Sequence, residues 1–452
     1  MFNFLKKQKK DIKTKGIKEI YKKIYILFNY IFIIFLQIVS IPFLFFIYLI
    51  KPIVTIRFGE INPDLFGVLA EMPALYCCER EANKNTKKRS TIDIFYLTYR
   101  SHNNIYNHIS NKYLVKMWKR TMRFFPGLII QPLSRTNNFF ARYISYLKVH
   151  DVWDAILDNK NSRETSYYHL HNRNIIQEFS PQLKFTQEEE KMGEDILLKF
   201  GLPKGSKFIC LAVRDKGYEM KNTPFRASGH NDYRNMDVNN FMLAAEELTK
   251  RGYWVFRMGK DLNTKINTSN PKIIDYANSN MRSEFMDIFL GAKCTFCLSS
   301  SQGYECIPYI FNKPIACMIA PLIEMSSYSS NYFVLIRDHF SVKNQKKLSL
   351  SEIFETNSAF VHHSSLFNKH GVVLKDNLPE EIRDLSMEVL DRCEGRWLET
   401  DENKELQKKF WKIFYQNINY KKDDQEAIKL MTHTHIENMH IHSNCNISSK
   451  FL

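Results

Sequence analysis

Short apolar runs alternate with helix-like stretches through the second half of the chain. Each run is four to six residues long, and amphipathic segments separate most of them. Strands that alternate with helices at these lengths predict parallel β-α-β units and therefore a doubly wound sheet. The five predicted strands are 208–213, 253–258, 272–275, 294–299 and 314–319.

Helix start and stop signals support this alternation. Thr186 is a candidate N-cap for a helix that ends before Gly201. Asp237 precedes a second stretch in which apolar residues recur on one face, and Gly252 follows it. Both stretches are therefore predicted to be helices of the α/β region.

The first half of the chain shows a less regular alternation. Runs 53–59, 74–81 and 91–99 are predicted strands, and 111–125 is a predicted helix. This order indicates a further α/β unit over roughly 51–190.

One segment is too apolar for a soluble domain. From Ile24 to Ile50 there are 27 residues without a charge, more than the about 20 that cross the hydrocarbon core. The run is too long for a signal peptide and has no small-residue cleavage site. We therefore expect a membrane segment over 24–50.

The positive charge of the chain is concentrated before the apolar segment. The net charge is +16, and the first 23 residues hold nine lysines against Asp11 and Glu19. Anionic lipid explains this cluster better than nucleic acid, for which the chain has no binding signature. Lysines before the apolar run predict a cytoplasmic N terminus. A simple crossing would export the remainder, whereas a kink at Pro42 would return it to the same face.

We therefore expect the inner (cytoplasmic) membrane as the location, with a cytoplasmic catalytic region. Whether the segment spans the membrane or re-enters stays open. Nine cysteines without framework spacing agree with a reducing compartment, and Cys294 and Cys297 are interpreted as buried thiols of a strand. The tail from about 421 contains four histidines and Cys445 without zinc-module spacing and is predicted to be loose and solvated.

Candidate chemistry follows the predicted strands, because open α/β sheets bind ligands beyond the carboxyl ends of their strands. Arginines, hydroxyls and backbone N–H groups at one crevice suit a phosphate. The rival interpretation is that Arg214 and Asp215, or Asp232 and Arg234, pair with each other. The residues at the strand ends are Arg214, Asp215, Arg257, Gly259, Lys260, Asp275, Ser299, Ser300, Ser301, Gln302 and Gly303; the polar cluster 230–235, with Arg234, precedes a helix and can reach the same crevice.

Absent motifs narrow the ligand. The sequence has no G-x-G-x-x-G after a strand, no G-x-x-x-x-G-K-[ST], no G-x-S-x-G and no H-E-x-x-H. These absences weigh against dinucleotide oxidoreductases, P-loop enzymes and zinc peptidases. The remaining hypothesis is phosphate binding without a metal site.

The chain resembles the bacterial surface-polysaccharide glycosyltransferases of the GT-B type. The resemblance extends over about 51–415 and keeps its order. Its motifs are "RFGEI", "ISNKYLVKMWKR", "VRDKGY", "DYRN", "GYWVFRMGK", "IIDYANSNMRSEFMDIFLGAKC", "SSSQGYECIPYIFNKP" and "VVLKDNLPEEIRDL". The loop "SSSQG" departs from the simpler Ser/Thr-Gly form of the family, which leaves open which serine contacts phosphate.

The resemblance implies two facing Rossmann-like domains behind the N-terminal membrane helix. It divides the chain into a basic N terminus (1–23), a membrane segment (24–50), an acceptor domain (51–195), a nucleotide-sugar domain (196–420) and a polar tail (421–452). A nucleotide-sugar is then the co-substrate, a glycan or lipid-linked acceptor the partner, and no further cofactor is expected.

Roles for individual residues follow from the same resemblance. Arg234, Arg257 and Arg214 are the candidates to stabilise the leaving diphosphate without a metal, and Asp232 is grouped with the catalytic residues. The remaining matches to the donor-binding motifs are Asp215, Tyr218, Asn235, Gly259 and Asp275, with the loop residues Ser299, Ser300, Ser301 and Gly303.

Several alternatives stay open. The general base of an inverting mechanism would be a carboxylate or histidine of the first domain, and Glu60, Asp64, Glu71 and Glu79 are available. A phosphoglycerol- or phosphoribitol-type transferase would use a similar crevice. A non-catalytic glycan-assembly subunit on a transferase fold would not need the arginines.

Overall fold

The computed structural model describes residues 17–84, 90–98, 108–157, 174–222, 229, 231–361, 363–421 and 446–447. The described residues form two compact units. Unit 1 comprises those within Met1–Leu65, Ala82–Ser110 and Lys119–Ser162. Unit 2 comprises those within Phe66–Glu81, Asn111–Trp118 and Arg163–Leu452.

The helices and strands confirm the α/β class. The described helices are α1 (Ile17–Leu49), α2 (Phe66–Ala82), α3 (Lys112–Thr121), α4 (Gly127–Phe140), α5 (Val152–Leu157), α6 (Asn174–Glu178), α7 (Gln187–Lys199), α8 (Gly217–Asn222), α9 (Met242–Lys250), α10 (Glu284–Lys293), α11 (Cys306–Ile310), α12 (Leu350–Glu355), α13 (Ser364–Lys369), α14 (Pro379–Cys393) and α15 (Asp401–Lys421).

Unit 1 is built on two parallel strands, β1 (Val54–Ile61) and β2 (Ser90–Leu97). Both were predicted from their apolar runs. Arg57 lies opposite Asp93 and donates hydrogen bonds of 2.5 and 2.6 Å to its two carboxylate oxygens. Both side chains are buried, so this bidentate pair neutralises the two charges inside the sheet. Gly59 is required beside it, because a Cβ there would lie 2.3 Å from the Phe95 ring.

Helix α1 runs without interruption through Pro42. Within it, Tyr30–Leu49 is long and apolar enough to cross a membrane, by length and composition alone. Core helices and signal sequences pass the same test, but only 11% of this window is buried. Leu44 nevertheless packs into the core of unit 1 with Phe58 and Ile130, so the end of α1 is part of that unit.

Unit 2 contains a parallel sheet of seven strands in the described chain. Its order is β12-β8-β7-β6-β3-β4-β5, and every pairing is parallel. The strands are β3 (Phe208–Ala212), β4 (Trp254–Arg257), β5 (Ile273–Ile274), β6 (Cys297–Ser299), β7 (Ile315–Ile319), β8 (Tyr332–Ile336) and β12 (Asn446–Ile447). The five strands predicted for this region are confirmed, and β8 and β12 are added to them.

Helix signals in unit 2 also agree with the sequence. Thr186 caps α7 in a capping box with Glu189, and Gly201 follows with φ +87°. Asp237 caps the 3-10 turn that leads into α9, and its side chain accepts a hydrogen bond from the Asn239 N–H. These local signals were sufficient to predict where the helices begin, because capping depends on residues within one helical turn.

One predicted strand is wrong. The run 74–81 forms part of α2, not a strand. Nearly every residue from Val68 to Cys78 is buried, so the polar side that would give a helical period is missing. A short run that is apolar on all sides does not distinguish a strand from a buried helix.

A small antiparallel sheet was not predicted. It has the order β10-β9-β11 and consists of β9 (Asp338–Ser341), β10 (Lys346–Lys347) and β11 (Val372–Lys375). The loose tail is contradicted at one point: Asn446 and Ile447 pair with β8, and Ile447 is buried. Residues 422–445, including the four histidines and Cys445, lie outside the described residues.

Candidate functional site

The strand order of unit 2 defines where a ligand crevice should form. Leaving aside β12, the order β5-β4-β3-β6-β7-β8 reverses direction between β3 and β6. This is the 3-2-1-4-5-6 order of doubly wound sheets, whose ligands bind beyond the carboxyl ends of the strands at the reversal point. The loops after β3 and β6 are therefore the candidate site.

The serine loop after β6 lies at this reversal point. Ser299 and Ser300 are fully buried, and the Ser300 Oγ accepts a 2.9 Å hydrogen bond from the Arg214 N–H. Ser301 has φ +57°, an uncommon conformation for a residue with a side chain. Such backbone strain often marks functional sites. The structure thus brings the two predicted loops, after β3 and after β6, into direct contact.

Close backbone packing explains the glycine of this loop. A Cβ on Gly303 would lie 3.2 Å from the Gly67 nitrogen at the start of α2. A Cβ on Gly67 would in turn lie 3.3 Å from the Gly303 Cα. The start of α2 therefore closely approaches the serine loop within unit 2.

Arg214 and Asp215 follow β3 but do not pair with each other. The Arg214 guanidinium forms an ion pair with Glu219 of α8, and its side chain is 17% exposed. The Asp215 carboxylate accepts hydrogen bonds from the N–H groups of Gly217 at 2.8 Å, Asn263 at 2.8 Å and Thr264 at 3.2 Å. Asp215 therefore ties the loops after β3 and β4 together, which is a structural role.

Tyr218 lies on α8 beside these residues. Its backbone carbonyl accepts a 3.2 Å hydrogen bond from the Asn222 side chain, and it is half-buried. The six-residue helix thus carries Tyr218, which was predicted from the sequence, and Glu219, which pairs with Arg214 in the structure.

Arg234 is joined to the serine loop through Glu324, a residue that the sequence did not single out. The guanidinium donates a 2.6 Å hydrogen bond to the Glu324 carboxylate and remains 20% exposed. Ser301 Oγ donates to the other oxygen of Glu324 at 3.1 Å, and Tyr233 Oη donates to the first at 3.1 Å. Glu324 therefore links the loops that carry Arg234 and Ser301.

Asp232 and Asn235 form a local turn around Arg234. Asn235 donates a 3.1 Å hydrogen bond to Asp232. Asp232 pairs with Lys216, whose side chain is 54% exposed and lies 2.6 Å away. The rival interpretation, in which Asp232 and Arg234 pair with each other, is therefore wrong: Asp232 pairs with Lys216 and Arg234 with Glu324. His230 lies outside the described residues.

Arg257 is placed differently from the other arginines. It ends β4, is 1% exposed, and donates to the Thr264 carbonyl and, at 3.4 Å, to Asp275. Burial lowers the pKa of Arg257 from its ordinary value, while Asp275 and then Asp215 raise it. Arg257 thus holds together the loops after β4 and β5, because its buried guanidinium donates to Thr264 in one and to Asp275 in the other. Gly259, with φ +145°, accepts a hydrogen bond from Arg282 at 3.0 Å.

A buried carboxyl group supports the serine loop. Glu305 accepts hydrogen bonds from Ser299 Oγ at 2.5 Å and from the Gln302 N–H at 3.3 Å. Desolvation raises the pKa of Glu305 to about 7, with the hydrogen bond from Ser299 acting in the opposite direction. No sequence signal identified this residue beyond its place three positions after Gln302, the spacing of a capping box.

Two further ion pairs flank the site and were also missed. Arg337 pairs with Asp376 at 2.5 Å and donates to the Tyr233 carbonyl, which holds the turn before Arg234. Arg282 pairs with Asp287 at 2.5 Å. Desolvation raises the pKa of Asp287 to about 6 against the lowering effect of Arg282. Each pair joins residues that sequence patterns do not connect.

The four candidate bases lie in different surroundings. Glu60 is the penultimate residue of β1 and accepts a 2.8 Å hydrogen bond from Thr98, and Asp64 is buried in the turn that follows the strand. Glu71 and Glu79 lie on α2 and belong to unit 2. Desolvation and then Glu178 raise the pKa of Glu79. These placements do not select one base.

At the carboxyl edge of the sheet, the predicted arginines are therefore paired with carboxylates. Arg214, Arg234 and Arg257 each contact a carboxylate of the same unit. Arg214 and Arg234 keep part of their surface exposed, whereas Arg257 does not. Such an edge can bind an anion by sharing an arginine that is already oriented. Among the described residues, no group of three or more His, Cys, Asp or Glu is arranged to hold a metal ion.

The solved structures that are similar to this chain include those of three glycosyltransferases. They are the ADP-heptose LPS heptosyltransferase II of E. coli (11% identity, TM-score 0.36, covering 62% of this chain and 90% of that one), a glycosyl transferase family 9 protein of Veillonella parvula DSM 2008 (12%, 0.35, 62% and 85%), and the E. coli heptosyltransferase WaaC with ADP-2-deoxy-2-fluoro heptose (10%, 0.31, 64% and 95%). No family model and no curated protein matches the chain. At these TM-scores the likeness does not assign a function to this chain.

Proposed function

We propose that the protein is a GT-B glycosyltransferase that moves a sugar from a nucleotide donor to a glycan or lipid-linked acceptor. The donor diphosphate would bind at the carboxyl edge of the seven-stranded sheet. The observation that carries this proposal is the contact between the two reversal-point loops, where the Arg214 N–H donates to Ser300 Oγ. In a sheet of this order, these loops are the expected walls of a nucleotide crevice.

Arg234 is the residue best placed to act on the donor. It is oriented by Glu324, shares that carboxylate with the Ser301 hydroxyl, and retains exposed surface. In the proposed reaction the guanidinium stabilises negative charge as it develops on the leaving diphosphate. Arg214 is a second candidate for this role. Arg257 would instead hold the floor of the site through Thr264 and Asp275.

The remaining parts of the assignment rest on the resemblance of the motifs. The acceptor domain (51–195) and the nucleotide-sugar domain (196–420) stay predictions. We also propose surface-polysaccharide synthesis as the pathway, the inner membrane as the location and the cytoplasm as the side of catalysis. Digestion of the catalytic region by protease added outside spheroplasts would contradict this placement.

Nucleotide binding tests the proposal most directly. The full-length protein is titrated with UDP, GDP, CDP, CMP and dTDP conjugates, and the best ligand is then titrated against Arg234→Gln. A charged hydrogen bond to phosphate contributes roughly 1.5–3 kcal/mol, which corresponds to about 10- to 150-fold in affinity. We expect a loss of affinity in that range.

Arg251→Gln is the matched control. Arg251 is also paired with carboxylates of unit 2, Asp391 and Glu394, but it lies at the end of α9 and not at the carboxyl edge. Its substitution should leave the titration unchanged. Equal affinities of wild type and Arg234→Gln for every ligand would show that Arg234 is only a structural ion pair and that the crevice is misplaced.

A further inference from the structure

Unit 1 exposes several large apolar side chains outside α1. They lie on α4, the residues that precede it and the turn that follows it. We define the apolar patch as Phe125, Leu128, Ile129, Phe139, Tyr143 and Ile144, whose exposure ranges from 50% to 77%. Single exposed apolar residues are ordinary, but a cluster of this kind marks an interaction surface.

The opposite side of α4 packs against α1. The Ser40 and Thr136 hydroxyls lie 3.0 Å apart, and Tyr48 Oη donates a 3.0 Å hydrogen bond to the Asn137 side chain. Ile130 packs with Leu44 in the core cluster of the unit. Small hydroxyl residues and interhelical hydrogen bonds of this type occur where helices associate within membranes.

These contacts determine the depth of α4 relative to the candidate membrane span. They involve α1 residues from Ser40 to Tyr48, which all lie within the apolar window Tyr30–Leu49. At 1.5 Å per residue, this part of α1 is roughly 12 Å long. If the window lies in hydrocarbon, α4 lies at the same depth, and its exposed side faces lipid.

Charge around the patch favours an anionic surface. Between Ile94 and His150 the chain has nine lysines and arginines and no aspartate or glutamate. Arg123 and Arg142 are exposed beside the patch, and the Lys51 ammonium lies 2.8 Å from the centre of the Tyr146 ring at the end of α1. Basic and aromatic side chains at the border of an apolar surface are typical of membrane interfaces.

We propose that unit 1 is embedded in an anionic leaflet through the apolar patch, beside α1, and is not merely tethered by that helix. The occupant of the patch is lipid because α4 packs against the candidate membrane span, and because the sequence from Ile94 to His150, which contains the patch, has basic residues and no acidic ones. The inference goes beyond the transferase assignment and is independent of it, since all of its residues belong to unit 1.

Photolabelling from the bilayer tests this proposal on the full-length protein. The protein is reconstituted in vesicles of phosphatidylcholine and phosphatidylglycerol that contain a phospholipid with a diazirine in its acyl chain. After irradiation, the labelled peptides are mapped by mass spectrometry. We expect label in Tyr30–Leu49 and also in 125–146. Peptides with Leu198 and Leu378, exposed apolar residues of unit 2, are the internal control and should stay unlabelled.

A variant pair separates lipid contact from non-specific labelling. Replacing Leu128 and Ile129 by lysine should reduce label in 125–146 by on the order of tenfold or more, because lysine is strongly disfavoured in hydrocarbon. Leu198→Lys should change nothing. Circular dichroism checks that each variant keeps its helix content.

Three results would overturn the proposal. Label confined to α1 would mean that unit 1 stays in water. Equal label in unit 1 and in the Leu198 and Leu378 peptides would mean that 125–146 is no closer to the acyl chains than an ordinary exposed apolar surface of unit 2. Crosslinks between two chains through 125–146 formed by a bifunctional reagent, without lipid label there, would assign the patch to a second copy of the protein.

Discussion

Replacement of Glu305 by glutamine should remove a pH-dependent loss of stability from unit 2. The Glu305 carboxyl group is buried beneath the serine loop, where one oxygen accepts from Ser299 and from the Gln302 N–H. The other oxygen lies 3.5 Å from Tyr332 Oη. Glutamine has nearly the same shape and keeps an acceptor for Ser299, so it imitates the protonated acid.

The magnitude follows from the pKa. Desolvation raises the pKa of Glu305 from 4.5 to about 7 in the folded protein. Between these values the folded state binds more protons than the unfolded state, so stability falls as the pH rises. The stabilisation is complete below pH 4.5 and is lost as the pH passes through about 7. At about 1.4 kcal/mol per unit of pKa, the loss is about 3 kcal/mol.

The assay is urea unfolding of wild type and Glu305→Gln at a series of pH values from about 4 to about 8, with the exposed Glu402→Gln as control. The stability difference between Glu305→Gln and wild type should rise with pH by about 3 kcal/mol. Glu324 and Arg234 also act on Glu305, and both are present in every protein compared. A difference that stays constant with pH would refute the assigned burial of a titrating carboxyl.

Three further outcomes are expected. Arg257→Ala should lower the free energy of unfolding by about 3 kcal/mol, because it leaves Asp275 and the Thr264 carbonyl without their buried partner; Arg257→Met, which fills the space without a charge, should lose a similar amount in urea titrations, and a much smaller loss for Arg257→Met would assign the effect to packing. Turnover of a donor sugar should persist in EDTA, and restoration of EDTA-abolished activity by magnesium or manganese would require the metal-free mechanism to be dropped. Removal of residues 1–50 should destabilise unit 1, because Leu44 is lost from its core cluster, and a melting temperature equal to that of the full-length protein would disprove this.

The sequence alone determined the elements whose signals are local. The apolar runs of the parallel sheet, the Thr186 capping box and the glycine stops all depend on residues within one strand or one helical turn. It also determined which residues follow the strands. Hence the contact of Arg214 with the serine loop was predictable once the order of the sheet was known.

Tertiary structure decided what these residues contact. The partner of Arg234 is Glu324, 90 residues further along the chain, and no pattern in either segment indicates that pair. Burial likewise separates Arg257 from Arg234, although both were equivalent candidates in sequence. The run 74–81 became a helix and Ile447 joined the sheet for the same reason. The partner of a side chain and its burial depend on which distant segments pack together. The energy of that packing cannot be inferred from the pattern of residues within one segment.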